Sequence, residues 1–218
     1  MESKLHSYES DEIKVTYDLN RCIHAKECVK GLKNVFDPNK RPWIQPENAK
    51  AENIMDVVQR CPTGALHYEM KNQDKPESRP SKNTISIVPD GPVYFRGNIE
   101  VQDQDGNVIL NDTRFALCRC GKSSNKPACD NTHTDIDFEA HASFAKSSLK
   151  EENPKTDGAK LILKMQKDGP VLIQGSYQIY SETTQPFGCS KTIALCRCGG
   201  SENKPFCDGT HKEIGFKS

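Results

Sequence analysis

Apolar and polar residues alternate with the period of a β-strand at several places along the chain. Ile13, Val15 and Tyr17 do so and predict a strand over residues 12–19. Val93, Phe95, Ile99 and Val101 repeat the pattern, as do Leu161, Leu163 and Met165, followed by Val171, Ile173, Tyr177 and Ile179. The Asp-Gly-Pro triplets at 90–92 and 168–170 supply turn chemistry beside these runs. Ala-Leu-Cys-Arg-Cys at 116–120 and 194–198 reads as a strand that Gly121 or Gly199 ends. A different period governs Ala51, Ile54, Val57, Val58 and Cys61, whose spacings of three and four predict an amphipathic helix over roughly residues 49–60. Residues 65–68 then read as a closing strand. Polar stretches at 71–83, with Pro76 and Pro80, and at 143–158, with Pro154, read as connectors.

The later part of the chain is a tandem repeat. Residues 90–138 align without a gap on 168–216, an offset of 78, and 21 of the 49 positions are identical. The expected map is therefore an α+β domain over 1–72, a linker over 73–83, a β-rich module over 84–140, a second linker over 141–157 and a second module over 158–218. Each module alone has little apolar surface to bury, so the two copies are expected to pack as a pseudo-twofold pair.

Composition narrows the class. Only 34% of the 218 residues are hydrophobic, and mean hydropathy is -0.74, yet there are 10 cysteines. A chain this poor in core material and rich in thiols points to an inorganic support. Thirty basic residues balance thirty acidic ones, which argues against nucleic acid as a partner. No stretch approaches the roughly 18 apolar residues that cross a bilayer, and the start, Met1-Glu2-Ser3-Lys4-Leu5-His6, lacks the apolar run of a secretory signal. The expectation is a cytoplasmic, metal-ligating protein without a membrane partner.

Nine of the ten cysteines fall into three sets: Cys22, Cys28 and Cys61; Cys118, Cys120 and Cys129 with His133; and Cys196, Cys198 and Cys207 with His211. Cys189 is left over, aligns with Asn111 in the first copy, and reads as a small core or surface residue. Cys-x-Cys places two thiolates close enough to grip one metal atom. Cys and His four residues apart share one face if their segment opens a helix, and can grip a second. Pro127 and Pro205, two residues before that cysteine, suit the entry to such a turn. Three Cys and one His equally suit a structural tetrahedral zinc site. Disulfides fit poorly, since the third cysteine of each set stays odd.

The repeated Cys-x-Cys-x₂-Ser-x₃-Pro-x-Cys-Asp-x-Thr-His resembles the CDGSH iron–sulfur domain, the module of mitoNEET-like (NEET) proteins. With its flanking strands the resemblance covers about half the chain. It implies a [2Fe–2S] cluster in each copy, with Cys118 and Cys120 on one iron and Cys129 and His133 on the other. Cys196, Cys198, Cys207 and His211 repeat that set. Asn131 stands where the family has Gly, as the second copy does at Gly209; Asn is the other residue that tolerates left-handed backbone, so the turn is expected to persist. Members of the family are often homodimers with two clusters, a pairing that two copies in one chain can supply internally.

The N-terminal cysteines resemble a divergent single-cluster ferredoxin. The resemblance runs through Arg21-Cys22-Ile23-His24-Ala25, Cys28, Val35-Phe36-Asp37-Pro38, Arg41-Pro42-Trp43-Ile44 and Cys61-Pro62-Thr63-Gly64-Ala65-Leu66, over roughly residues 10–70. Ferredoxins usually carry Cys-x₂-Cys-x₂-Cys before the distant Cys-Pro, and here the central position is Ala25. Three thiolates imply a [3Fe–4S] cluster, or a [4Fe–4S] cluster whose fourth iron takes water, His24 or another group. A degenerate ferredoxin fold with inert thiols is the alternative.

A two-iron centre held entirely by protein ligands has no open position for substrate. The expected role is thus non-enzymatic: one-electron transfer, or donation of a cluster, with a redox or cluster-acceptor protein as partner. A zinc-stabilised interaction module without redox function is the rival. No Gly-x-Gly-x-x-Gly follows a strand, so no dinucleotide site is expected.

Overall fold

The computed structural model describes residues 4–71, 77–144, 149, 158–181, 187–189 and 191–218. The chain divides into two compact units, residues 2–78 and 79–218.

In the first unit, β1 (Leu5–Glu9), β2 (Ile13–Asp18) and β3 (Leu66–Met70) form an antiparallel sheet in the order β1-β2-β3. The alternation in β2 buries Ile13, Val15 and Tyr17, and β3 buries Leu66 and Tyr68. Helix α2 (Ala51–Gln59) lays Ala51, Ile54, Val57 and Val58 on this core, and a bridge between Phe36 and Ile44 adds both side chains. A short helix α1 (Glu27–Gly31) precedes them. The helix expected over 49–60 is thus slightly shorter. Strand β1 has no counterpart in the sequence reading, because its side chains are mostly exposed and only its backbone ladder, from Leu5 opposite Asp18 to Glu9 opposite Lys14, places it.

The second unit is one sheet to which both repeats contribute. Its strands are β4 (Thr84–Ile87), β5 (Val93–Gln102), β6 (Val108–Leu117), β7 (Leu161–Met165), β8 (Val171–Gln174), β9 (Tyr177–Tyr180), β10 (Phe187–Cys189) and β11 (Ile193–Leu195). The order is β10-β9-β4-β5-β7-β8-β11, with β6 also pairing β5. Within each copy the first strand forms a hairpin with the second through the Asp-Gly-Pro turn: β4 with β5, and β7 with β8. The remainder of the second strand crosses to the other copy. Residues Ile99–Gln102 of β5 run parallel to β7, with Glu100 opposite Ile162, and β9 runs parallel to β4, with Gln178 opposite Thr84. One apolar core draws on both copies, with Ile85, Phe95, Val101, Leu163, Ile173 and Tyr177 all fully buried.

Two expectations are corrected, and one connector residue proves to be structural. The strand expected to run through Cys-Arg-Cys stops at Leu117 in one copy and Leu195 in the other, because the cysteine backbone turns to pair with the returning chain. The connector drawn over 73–83 ends in a structural residue, while its residues 73–76 lie outside the described residues. Asn83 is 2% exposed; its Nδ2 donates to Ala159 O at 2.9 Å and Ser176 O at 3.0 Å, and its Oδ1 accepts from Asn98 N at 2.9 Å. Pro127 and Pro205 do not open helices, as their positions below make plain. Of the second connector, 145–148 and 150–157 lie outside the described residues. Among the described residues, no helix is long and apolar enough to cross a membrane.

Asn83 ties the second copy to the first by side-chain bonds that an apolar group cannot replace. Asn83→Ala should therefore lower stability by about 2–3 kcal/mol, from buried partners left unpaired. A shift of the urea midpoint below that of wild type measures it; an unchanged midpoint would mean the bonds add nothing.

Candidate metal centres

Each repeat copy builds its site from a strand end and a returning loop. β6 ends at Leu117, which bridges Ala128; Cys118 N donates to Pro127 O at 3.0 Å and Cys129 N to Ala116 O at 2.8 Å. In the second copy Leu195 bridges Phe206, with Cys196 N to Pro205 O at 2.8 Å and Cys207 N to Ala194 O at 2.9 Å. The prolines thus present carbonyls to the first cysteine rather than starting a helix. The loop between is closed on itself. Ser123 Oγ donates to Ala128 O at 2.7 Å, and Ser201 Oγ to Phe206 O at 2.7 Å.

After the third cysteine the chain turns sharply. Asn131 and Gly209 both hold left-handed backbone, at φ 76° and 100°, so Asn131 keeps the turn as its residue type allows. The Asp130 carboxylate accepts from Thr132 and Ser124, through backbone and hydroxyl in each case, and Asp208 accepts from Thr210 and the Glu202 backbone. Burial opposes the charge on Asp130, but these bonds outweigh it and hold the carboxyl well below the usual range. His133 then falls in a three-residue 3₁₀ turn, Thr132–Thr134, and His211 in the single turn α3 (Thr210–Glu213). The helix expected after the third cysteine is thus one turn long.

The resulting ligand geometry is the same in both copies. Cys118 Sγ and Cys120 Sγ stand 3.6 Å apart, as do Cys196 Sγ and Cys198 Sγ. Cys129 Sγ lies 3.5 Å from His133 Nδ1, and Cys207 Sγ 3.4 Å from His211 Nδ1. Tetrahedral coordination with metal–sulfur bonds of about 2.3 Å and metal–nitrogen bonds of about 2.0–2.1 Å places the donors roughly 3.7 and 3.5 Å apart. Both pairs fit. Cys118 is held down to about 6 by the hydrogen bond it shares with Cys120, helped by neighbouring backbone N–H groups, while Cys120 is pushed up by the same bond and by burial. Burial pushes Cys129 up to about 12 and pulls His133 below its ordinary value. Buried thiols with raised pKa values need a bound cation to become ligands.

Residues between the ligands support the site and were not singled out in the sequence. Arg119 is buried; it donates through Nε to Gly91 O at 2.8 Å, through Nη1 to His141 O at 2.9 Å, and through Nη2 to Val88 O at 2.5 Å and Ala140 O at 2.9 Å. Arg197 does the same with Gly169 O and Gln166 O, at 2.8 and 2.6 Å. Each guanidinium lies over a ring, Phe138 or Phe216, at 5.5 and 5.7 Å. These arginines fasten the Cys-x-Cys loop to the Asp-Gly-Pro turn. Identity between the two copies was the signal that marked them.

The two Cys-x-Cys loops also touch each other. A Cβ on Gly121 would stand 2.4 Å from Cys198 O, and one on Gly199 2.5 Å from Cys120 O, while φ is +76° and +82°. Only glycine fits there.

In the N-terminal unit, Cys22, Cys28 and Cys61 line one cavity of about 470 Å³, together with Tyr17, His24 and Ala25. Cys22 follows a 3₁₀ turn (Leu19–Arg21), Cys28 sits on α1, and Cys61 follows α2, its N–H donating to Val58 O at 3.0 Å. Arg21 Nη2 reaches Thr63 O at 2.5 Å and ties the first cysteine's segment to the third's. His24 and Lys26 hold positive φ, 55° and 64°, on either side of Ala25. Burial, then the charge of Cys61, pushes the Cys28 thiol up to about 11. The donor set fits a cluster with three protein thiolates. Cys189, by contrast, is fully buried in the apolar core. Among the described residues, no three His, Cys, Asp or Glu side chains converge on one ion position.

Comparison with known proteins agrees with this layout. A family model described as iron-binding zinc finger CDGSH type matches residues 90–134 and again 168–212. One described as divergent 4Fe-4S mono-cluster matches residues 8–71. Over 64 residues the chain is 33% identical to the uncharacterized protein YjdI of Escherichia coli (strain K12), spanning 29% of this chain and 84% of that protein. The match to YjdI of Escherichia coli O157:H7 has the same extent and identity. No solved structure matches. The matched domains support an iron–sulfur protein. Its N-terminal domain belongs to the divergent 4Fe-4S mono-cluster family shared with YjdI, and two repeats matching the CDGSH-type model follow it.

Because each Cys-x-Cys loop rests on the other, damage to one should reach both. Gly121→Ala should lower stability by at least about 2 kcal/mol, since a Cβ collides with Cys198 O at positive φ. It should also reduce iron bound at the second copy. Gly106→Ala, also at positive φ (+90°) but with nothing within 4 Å, is the control for backbone strain without the clash. Iron content and urea midpoints of both variants check this; a Gly121→Ala protein matching the control would contradict it.

Proposed function

We propose that the protein holds a [2Fe–2S] cluster in each CDGSH copy and a [3Fe–4S] or [4Fe–4S] cluster on Cys22, Cys28 and Cys61, and that it acts in one-electron transfer or in delivery of a cluster to an acceptor protein. The observation that carries this reading is the paired geometry: two donors at 3.6 Å and two at 3.4–3.5 Å in each copy, with no three converging on one ion among the described residues. A mononuclear zinc site needs all four ligands around one point. A two-iron centre needs two pairs, which is the pattern here. Bound there, the cluster supplies a one-electron couple; the chain supplies four ligands and leaves no position for substrate. One imidazole in place of a thiolate removes negative charge and favours the reduced state.

The two copies form, on this proposal, an internal pseudo-twofold pair. Its support is the reciprocal register: adding 78 to Thr84 and subtracting 78 from Gln178 gives the Ile162–Glu100 pair. The Gly121–Cys198 and Gly199–Cys120 contacts obey the same relation. Two redox centres held on mutually touching loops suit electron exchange between them. A cytoplasmic setting, where thiols stay reduced, completes the reading.

The test is metal analysis with electron paramagnetic resonance on full-length protein purified without oxygen. About seven or eight iron atoms per chain with matching acid-labile sulfide, and little zinc, are expected. A colourless protein with about two zinc atoms overturns the proposal. In air, the N-terminal centre should give the oxidised-state signal of a three-iron cluster, because the iron lacking a protein thiolate is lost most easily. Ala25→Cys should abolish that signal by supplying the missing ligand. A stable four-iron centre in air-exposed wild type would instead reveal a fourth ligand, with His24 the first residue to replace.

A further inference from the structure

Two copies with the same ligand set need not hold their clusters equally well, and the second and third cysteines of the two copies are covered unequally. Cys120 and Cys129 are buried, at 6% and 3% exposed, whereas their counterparts Cys198 and Cys207 are only partly covered. Gly121 is buried and Gly199 is not; Asp130 is half-buried and Asp208 exposed. Every one of these differences leaves the second copy more open.

The side-chain hydrogen bonds that brace the ligand turn differ in the same sense. In the first copy Ser124 Oγ donates to Asp130 Oδ2 at 2.7 Å, Asn131 Nδ2 donates to Thr134 Oγ1 at 3.1 Å, and Thr134 Oγ1 donates to Asn131 O at 3.0 Å. All three lie on the turn that carries Cys129 and His133. The aligned residues of the second copy are Glu202, Gly209 and Lys212. A carboxylate does not donate as a hydroxyl does, glycine has no side chain, and Lys212 has no hydroxyl. Glu202 reaches Asp208 through its backbone N–H alone, where Ser124 adds its hydroxyl. Where the first copy has the exposed Lys122, the second has Gly200.

We infer that the two CDGSH sites divide the work: the second, on Cys196, Cys198, Cys207 and His211, releases its cluster to an acceptor, and the first retains its own. This rests on the proposed cluster-binding function. The acceptor is a protein that presents four free thiols. Two ferric ions and two bridging sulfides leave together; four bonds to the second site's ligands break, and four to the acceptor's sulfurs form. The acceptor's thiols give up four protons. The cysteines take three of them, and the fourth goes to His211 or solvent. No electron moves.

The test uses full-length, cluster-loaded protein incubated with excess EDTA, and separately with a four-cysteine apo-ferredoxin, both followed by visible circular dichroism. Wild type should lose its two-iron signal in two phases of similar amplitude, the faster at least about tenfold quicker. Giving the second copy the first copy's braces, as Glu202→Ser, Gly209→Asn and Lys212→Thr together, should slow the fast phase and leave the slow one unchanged. The reverse exchange, Ser124→Glu, Asn131→Gly and Thr134→Lys, should quicken the slow phase. Holo-ferredoxin should appear at the rate of the fast phase. A single phase in wild type, or a fast phase that only the first-copy exchange alters, overturns the division while the clusters themselves remain. A protein without two-iron signal overturns the proposed function and this inference with it.

Discussion

Two backbone hydrogen bonds in each repeat hold the ligand set together. Cys118 N to Pro127 O and Cys129 N to Ala116 O lock the returning chain against the strand end, so that pairs of donors separated along the sequence stand side by side. Without that clamp, Cys-x-Cys and Cys-x₃-His would be two unrelated chelates on a mobile loop. Its geometry explains the invariants between the copies. Ser123 and Ser201 close the loop, Asp130 and Asp208 fix the turn, and Arg119 and Arg197 anchor the far side through backbone carbonyls. A chain with 34% hydrophobic residues has few other means to order such loops.

The clamp depends in turn on a sheet that neither copy completes alone. β4 and β7 each lie between a strand of their own copy and one from the other, and the core beneath is common to both. Covering both edges of a short strand in this way removes exposed ladder groups that would otherwise invite pairing with other chains. It also brings the two Cys-x-Cys loops into close contact at Gly121 and Gly199, so that a side chain added to one loop meets the backbone of the other. Equal candidate ligand sets on unequal supports follow from duplication: the three cysteines and the histidine match, while Ser124, Asn131 and Thr134 are replaced by Glu202, Gly209 and Lys212.

Much of this was legible in the sequence, for physical reasons that can be named. Alternation exposed β2, β5 and β7 because one face of each is buried, and the three-four spacing exposed α2. The ligands stood out because cysteine is scarce and the spacing recurs. What stayed hidden were features made by backbone or by contacts distant in sequence. β1 pairs through its backbone while its side chains remain mostly exposed. Asn83 looked like one more polar linker residue, although its partners lie 76 and 93 residues away. The end of the strand before Cys118 rather than after Cys120, and the role of the Pro127 carbonyl as acceptor for the Cys118 N–H, follow from the bridge to Ala128, which no local pattern encodes.

The central claim is that His133 and His211 each complete a two-iron centre through Nδ1, beside Cys129 and Cys207. Pulsed electron paramagnetic resonance on the reduced, full-length protein reads this directly, since a nitrogen bound to a paramagnetic iron couples strongly to its electron spin. The account predicts a strong nitrogen coupling in the two-iron signals that disappears when both histidines are replaced by cysteine. Two-iron signals without strongly coupled nitrogen in the wild-type protein would contradict it.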